Sequence, residues 1–202
     1  KAPPPAAKEE AVQRLAIGAK APDFASQDLA GKTVKLADFA GKIVVLDFWA
    51  TWCGPCKASL PHTQEVALKY KDQDVVVLAN CTSDARRAFE SWLQQNGGDY
   101  PDIVFTHDAA EKKPERASRT FSGVGGIPQQ FAIGKDGRVA AIVDGYMEGE
   151  VLLEAALAKA GVKVDAATLE KAAADQKKRD ERRQKPAGAM PAMPLKRGLS
   201  RT

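Results

Sequence analysis

Long apolar runs are missing from this 202-residue chain: no stretch approaches the roughly 20 apolar residues that cross a bilayer, which excludes an ordinary membrane-spanning helix. The chain opens at Lys1 with neither an initiating Met nor the apolar core of a signal peptide, as expected if a leader has been removed or if this is a piece of a longer protein. Potential metal ligands are scarce as well. There are three cysteines, Cys53, Cys56 and Cys81, and two histidines, His62 and His107, and a second Cys-x-x-Cys pair is lacking, so the usual four-ligand zinc site cannot be assembled and no metal is expected. The two histidines are isolated and read as surface or capping residues. An aromatic RNA-binding signature, a helix-turn-helix pattern and a zinc-finger pattern are all absent, so no nucleic-acid partner is expected.

What is present suffices for one domain with a proper core, at 44% apolar residues. The net charge of +4 is uneven: residues from Lys163 onward carry net +6, leaving the remainder at −2. Basicity thus belongs to an appendage and says little about a substrate of the body. Three regions follow: a Pro/Ala-rich linker over 1–15, suited to a tether from a membrane anchor or an upstream domain; a folded domain over 16–162; and a charged extension over 163–202. Residues 165–184 have helical potential with charge nearly all round, and a helix polar on every side is not held by a core, so the extension is expected to be largely solvated.

The chemistry is concentrated in Trp52-Cys53-Gly54-Pro55-Cys56-Lys57. Two thiols stand one helical turn apart directly behind the apolar run Ile43 to Trp49, which reads as a strand buried on both faces. At the start of a helix the sulfur of Cys53 sits among unpaired backbone N–H groups at the positive end of the dipole, which favours thiolate over thiol. Cys53 is the candidate nucleophile, and Cys56, three residues on, can displace a product from the mixed disulfide as the resolving thiol. Asp47 interrupts the apolar strand, and desolvation there raises a carboxyl pKa toward a value useful for proton transfer. Cys81 is left over and reads as a buried small hydrophobe at the end of the strand that starts near Val75.

Along the chain, a short strand at 33–36 leads through a turn into the 43–49 strand. A helix follows from Cys53 to Tyr70, kinked at Pro61. A strand at 74–79 completes a right-handed, parallel βαβ unit. Ser83 or Asp84 is expected to cap a helix reaching Gln95 that ends at Gly97-Gly98, with Trp92 in the core. Residues 103–105 read as a short strand and 114–121 as a brief helix. Residues 130–133 and 138–143, joined by Gly134-Lys135-Asp136-Gly137, read as an antiparallel hairpin, and a helix over 148–160 closes the domain.

The run from Val44 to Lys57 resembles the active-site segment of the thioredoxin superfamily, and Ile17 to Phe24 with Asp28 to Val34 resembles the amino-terminal hairpin of its extracytoplasmic TlpA and ResA-like branch, which includes redoxin or AhpC/TSA-like domains. The resemblance covers residues 16–160. It implies an α/β thioredoxin fold, with a central mixed β-sheet flanked by helices, an N-terminal β-hairpin extension and a charged C-terminal tail.

It further implies that Asp47 relays a proton to or from Cys56, and that Pro128 is the cis-proline facing the cysteines. The backbone of Ile127 is then left to pair with an extended substrate segment. Trp52 would shield the disulfide and offer an apolar docking surface, while Gly54 and Pro55 set the turn and the potential. The same Gly-Pro dipeptide occurs in strongly reducing thioredoxin. Two departures stand out: Ser59 occupies a position where ResA-like chains commonly carry an acid, and Gln129 replaces the threonine usual after the cis-proline.

The reading is therefore a thiol-disulfide oxidoreductase that reduces protein disulfides outside the cytoplasm, in a periplasm or cell envelope. Its only redox group would be the Cys53/Cys56 couple, with no cofactor. Its partners would be disulfide-containing clients and a thiol donor that recycles it, and it would act as a monomer. Rivals are a thiol peroxidase, a copper chaperone and a non-catalytic binding module. Peroxidases of the peroxiredoxin type use Thr-x-x-Cys, whereas Ala50 precedes Cys53 here; Cys-x-x-x-Cys copper chaperones differ in spacing.

Overall fold

The computed structural model describes residues 15–108, 117–121 and 126–184. All but the last residue of the expected 1–15 linker, most of the polar stretch before the brief helix and the tail beyond 184 lie outside the described residues.

Among the described residues, seven strands form one mixed sheet in the order β2-β1-β5-β4-β3-β6-β7. These are β1 Ala25–Gln27, β2 Thr33–Lys35, β3 Ile43–Trp49, β4 Val75–Cys81, β5 Ile103–His107, β6 Gln129–Ile133 and β7 Val139–Asp144. Strands β3, β4 and β5 run parallel, whereas β6 and β7 are antiparallel additions on one side and the β1–β2 hairpin caps the other. The central position of β3 follows from its composition: every residue from Ile43 to Trp49 is buried, as a strand covered on both faces requires.

Alternation along β3 divides the core into two layers. Ile43, Val45 and Trp49 face a cluster containing Cys53, Cys56, Leu60, Val66, Phe89 and Leu157. Val44, Leu46 and Phe48 face the opposite cluster, where Phe24, Phe121 and Phe131 meet edge-on around Phe48. Five α-helices of the described residues pack around the sheet: α1 Gly54–Tyr70, α2 Arg86–Asn96, α3 Ala117–Thr120, α4 Leu152–Lys159 and α5 Ala166–Gln184. Helix α1 runs unbroken through Pro61.

Several expectations change. Helix α2 starts at Arg86 after Ala85, with no side-chain cap; Ser83 adopts a left-handed φ of 65° and the Asp84 carboxylate is engaged elsewhere. Trp92 is half-buried at the margin of the core, against Trp49 and Tyr100. His107 is not a surface residue, and His62 is half-buried. His107 is buried with its ring 2.8 Å from the Asp84 carbonyl oxygen, and His62 pairs with buried Glu154 at 2.9 Å.

The largest revision concerns α5. It is a 19-residue helix docked on α4 and the β7 side, with Ala172, Asp175 and Arg179 buried and most of its other residues exposed. The charge that seemed to run all round includes two buried ionic groups, which apolar periodicity does not register.

Candidate active site

Strand β3 delivers the chain to Ala50, and a tight turn places Cys53 at the N-cap of α1, its N–H donating to the Ala50 carbonyl at 3.1 Å. The turn is held from outside by Asp84, whose carboxylate accepts the Thr51 N–H at 2.6 Å and the Cys81 thiol at 3.2 Å. Sequence reasoning missed this role because an Asp ahead of a helix reads first as its cap.

Cys53 and Cys56 form a disulfide with Cα atoms 5.3 Å apart. The Cys53 sulfur accepts the Cys56 N–H at 3.2 Å, so an orphan donor of the first turn points at that sulfur, and Pro55 occupies the first turn without losing a ladder bond. Both cysteines are almost wholly buried, whereas Trp52, immediately before them, is 63% exposed and offers apolar surface to solvent.

The Ile127–Pro128 bond is cis. The sulfur of Cys53 lies 3.7 Å from the Ile127 carbonyl oxygen, which brings the cis-proline loop against the disulfide. Pro128 is buried, and its own carbonyl accepts the Gly145 N–H at 2.8 Å from the segment after β7.

Asp47 belongs to the same strand face as Val45 and Trp49, beneath α1 and the cysteines. It is fully buried; Gln130, its direct cross-strand partner on β6, donates to one carboxylate oxygen at 3.3 Å and also contacts the Thr63 hydroxyl at 3.3 Å. Burial pushes the Asp47 pKa up from 3.8 to about 7, against a smaller lowering by the Gln130 hydrogen bond. The carboxyl therefore changes charge near neutral pH. Gln130 was read from sequence only as the start of a strand. Ser59 is buried and donates to the Cys56 carbonyl at 2.7 Å, so it braces the helix backbone and offers no acid.

Among the described residues no group of three or more His, Cys, Asp or Glu side chains is placed to hold a metal ion, and no helix is long and apolar enough to cross a membrane. A surface cleft lined by Leu36, Phe39, Val44 and Ile133 lies at the opposite end of β3 from the cysteines and contains none of these groups.

The family model for the AhpC/TSA family matches residues 17–142. The chain belongs to this family. The thiol-disulfide oxidoreductase ResA of Bacillus anthracis is 35% identical over 140 residues, spanning 69% of this chain and 76% of that protein. ResA of Bacillus subtilis is 30% identical over 135 residues, spanning 67% and 71%. Among solved structures, a protein assigned as the thiol:disulfide interchange protein DsbE of Chlorobium tepidum has 34% identity and a TM-score of 0.62, covering 72% of this chain and 99% of that one. An exposed lipoprotein thioredoxin of Streptococcus pneumoniae has 34% identity and a TM-score of 0.56, covering 68% and 99%. This AhpC/TSA-family chain is a thiol-disulfide oxidoreductase with the thioredoxin fold.

Proposed function

We propose that the protein reduces the disulfides of client proteins, with Cys53 as nucleophile, Cys56 as resolving thiol and Asp47 as the proton acceptor behind them. The observation that carries this reading is the conjunction of a helix-capping Cys53 with a cis-proline backbone 3.7 Å from its sulfur. The Cys53 thiolate attacks one client sulfur; the client S–S bond breaks, and the other client sulfur leaves as a thiolate that takes a proton. Cys56 gives its proton to the Asp47 carboxylate and attacks the Cys53 sulfur, forming the Cys53–Cys56 disulfide and releasing the second client thiolate. Two electrons pass to the client. An external dithiol donor returns two electrons to the enzyme.

Trp52 and the backbone of Ile127 and Pro128 form the docking surface, the latter by strand addition with an extended client segment. Gly54 and Pro55 shape the turn. The redox-active disulfide is the whole redox equipment, and the chain acts as a monomer. An extracytoplasmic site of action is supported by the ResA relatives and by the exposed lipoprotein among the structural neighbours.

Trapping tests the assignment. A reduced Cys56→Ser protein should accumulate a mixed disulfide with a disulfide-bonded peptide through Cys53, and Cys53→Ser should accumulate none. No mixed disulfide in Cys56→Ser, together with unchanged peptide binding by a protein lacking both cysteines, would leave the binding-module reading standing instead.

A further inference from the structure

Helix α5 grips main chain. The Arg179 guanidinium donates to the Asp144 carbonyl at 2.5 Å and to the Gly145 carbonyl at 3.1 Å, while its Nε donates to the Glu150 carboxylate at 2.8 Å. The Lys171 ammonium donates to the Gly149 carbonyl at 2.5 Å, and the Asp175 carboxylate accepts the Val151 N–H at 3.3 Å. One helix thus fastens 144–151 at both ends. That segment is one hydrogen bond from the docking surface: the Gly145 N–H donates to the Pro128 carbonyl at 2.8 Å, Asp144 pairs in register with Gln129, and the Gln129 amide donates to the Asp144 carboxylate.

We propose that α5 is a strap for the cis-proline loop and that Arg179 is its positioning residue, fixing the 144–145 turn and through it the backbone of Ile127 and Pro128 in the register an extended client strand needs. The proposal rests on the docking role assigned above to those two residues. Arginine suits the task because its planar fork serves one carboxylate and two carbonyls at once, which a lysine ammonium on a single stem cannot. A buried ion pair adds little net stability, since both charges lose their hydration, so the Arg179–Glu150 pair is better understood as fixing geometry.

The test compares two substrates in the full chain, a disulfide-bonded peptide, which has backbone to pair, and a small aromatic disulfide, which has none. Removing both buried charges with Arg179→Gln and Glu150→Gln together avoids stranding one of them. This double variant is expected to raise the KM for the peptide about tenfold through misplacement of the docking backbone. Its rate with the small disulfide should change by less than about twofold. Arg179→Lys, which keeps the charge opposite Glu150, should raise the peptide KM as well. A wild-type peptide KM in Arg179→Lys, or an equal loss with both substrates, overturns the strap. A Pro128→Ala protein reads the docking surface itself. If its peptide KM rises while the Arg179 variants keep the wild-type value, the strap falls and the docking role stands; if it also keeps the wild-type value, the docking role falls and the strap with it.

Discussion

A carboxyl shut away from water holds its proton until the solution is basic enough to overcome the missing hydration, and Asp47 is in that position at 0% exposure. Its folded pKa of about 7 lies above the reference value of 3.8, so between those values the folded protein binds more protons than the unfolded one. Stability contributed by this residue is therefore fully present below about pH 4 and is lost as pH rises through about 7, a penalty on the order of 4 kcal/mol once the group is ionised. Guanidinium unfolding of oxidised Asp47→Asn should lack that slope and show greater stability than wild type at pH 8. An Asp47→Asn protein whose stability changes with pH as steeply as wild type would place the titration elsewhere. Gln130→Leu removes the hydrogen bond that lowers the Asp47 pKa, so the titration should move further up, read by the pH dependence of unfolding stability. Asp47 was legible in the sequence as an acid in an apolar run. Gln130 and Asp84 were not, because spacing along one strand or before one helix does not reveal which residue arrives from another.

Helices α4 and α5 are neighbours held by different physics. Leu157 of α4 is fully buried in the layer beneath the cysteines, so Leu157→Ala should cost about 2–5 kcal/mol in urea unfolding. Leu169 of α5 is 37% exposed, and Leu169→Ala should cost about 1 kcal/mol or less. Comparable losses at both positions would mean that α5 is a core element. The sequence pattern found α4, whose Leu152, Leu153, Ala156 and Leu157 form an apolar stripe. It found α5 as a helix but not as a docked one, since the buried groups on its packed side are an alanine and two charged residues, Asp175 and Arg179, paired with Lys171 and Glu150 respectively. The start of α2 was misplaced for a related reason: Ser83 and Asp84 are good capping residues, but one takes a left-handed turn and the other serves the Thr51 turn.

Across the whole molecule, the parallel centre and the antiparallel β6–β7 hairpin could be read from run lengths and a Gly-rich turn, because those constraints are local. The place of the β1–β2 hairpin at the far edge, beside β5, could not, since nothing within residues 25–35 encodes which edge is open. The assembled sheet brings β3, the turn held by Asp84 and the cis-proline loop to one end, where 63%-exposed Trp52 marks the approach. Trp52→Ala should weaken client turnover several-fold while leaving stability within about 0.5 kcal/mol, as for other exposed side chains. Equilibration of the full chain in defined thiol buffers, followed by Trp fluorescence, gives the reduction potential of the Cys53–Cys56 couple, and the reductase account predicts a value near about −270 mV. A value near about −120 mV would contradict it, making the protein a donor of disulfides.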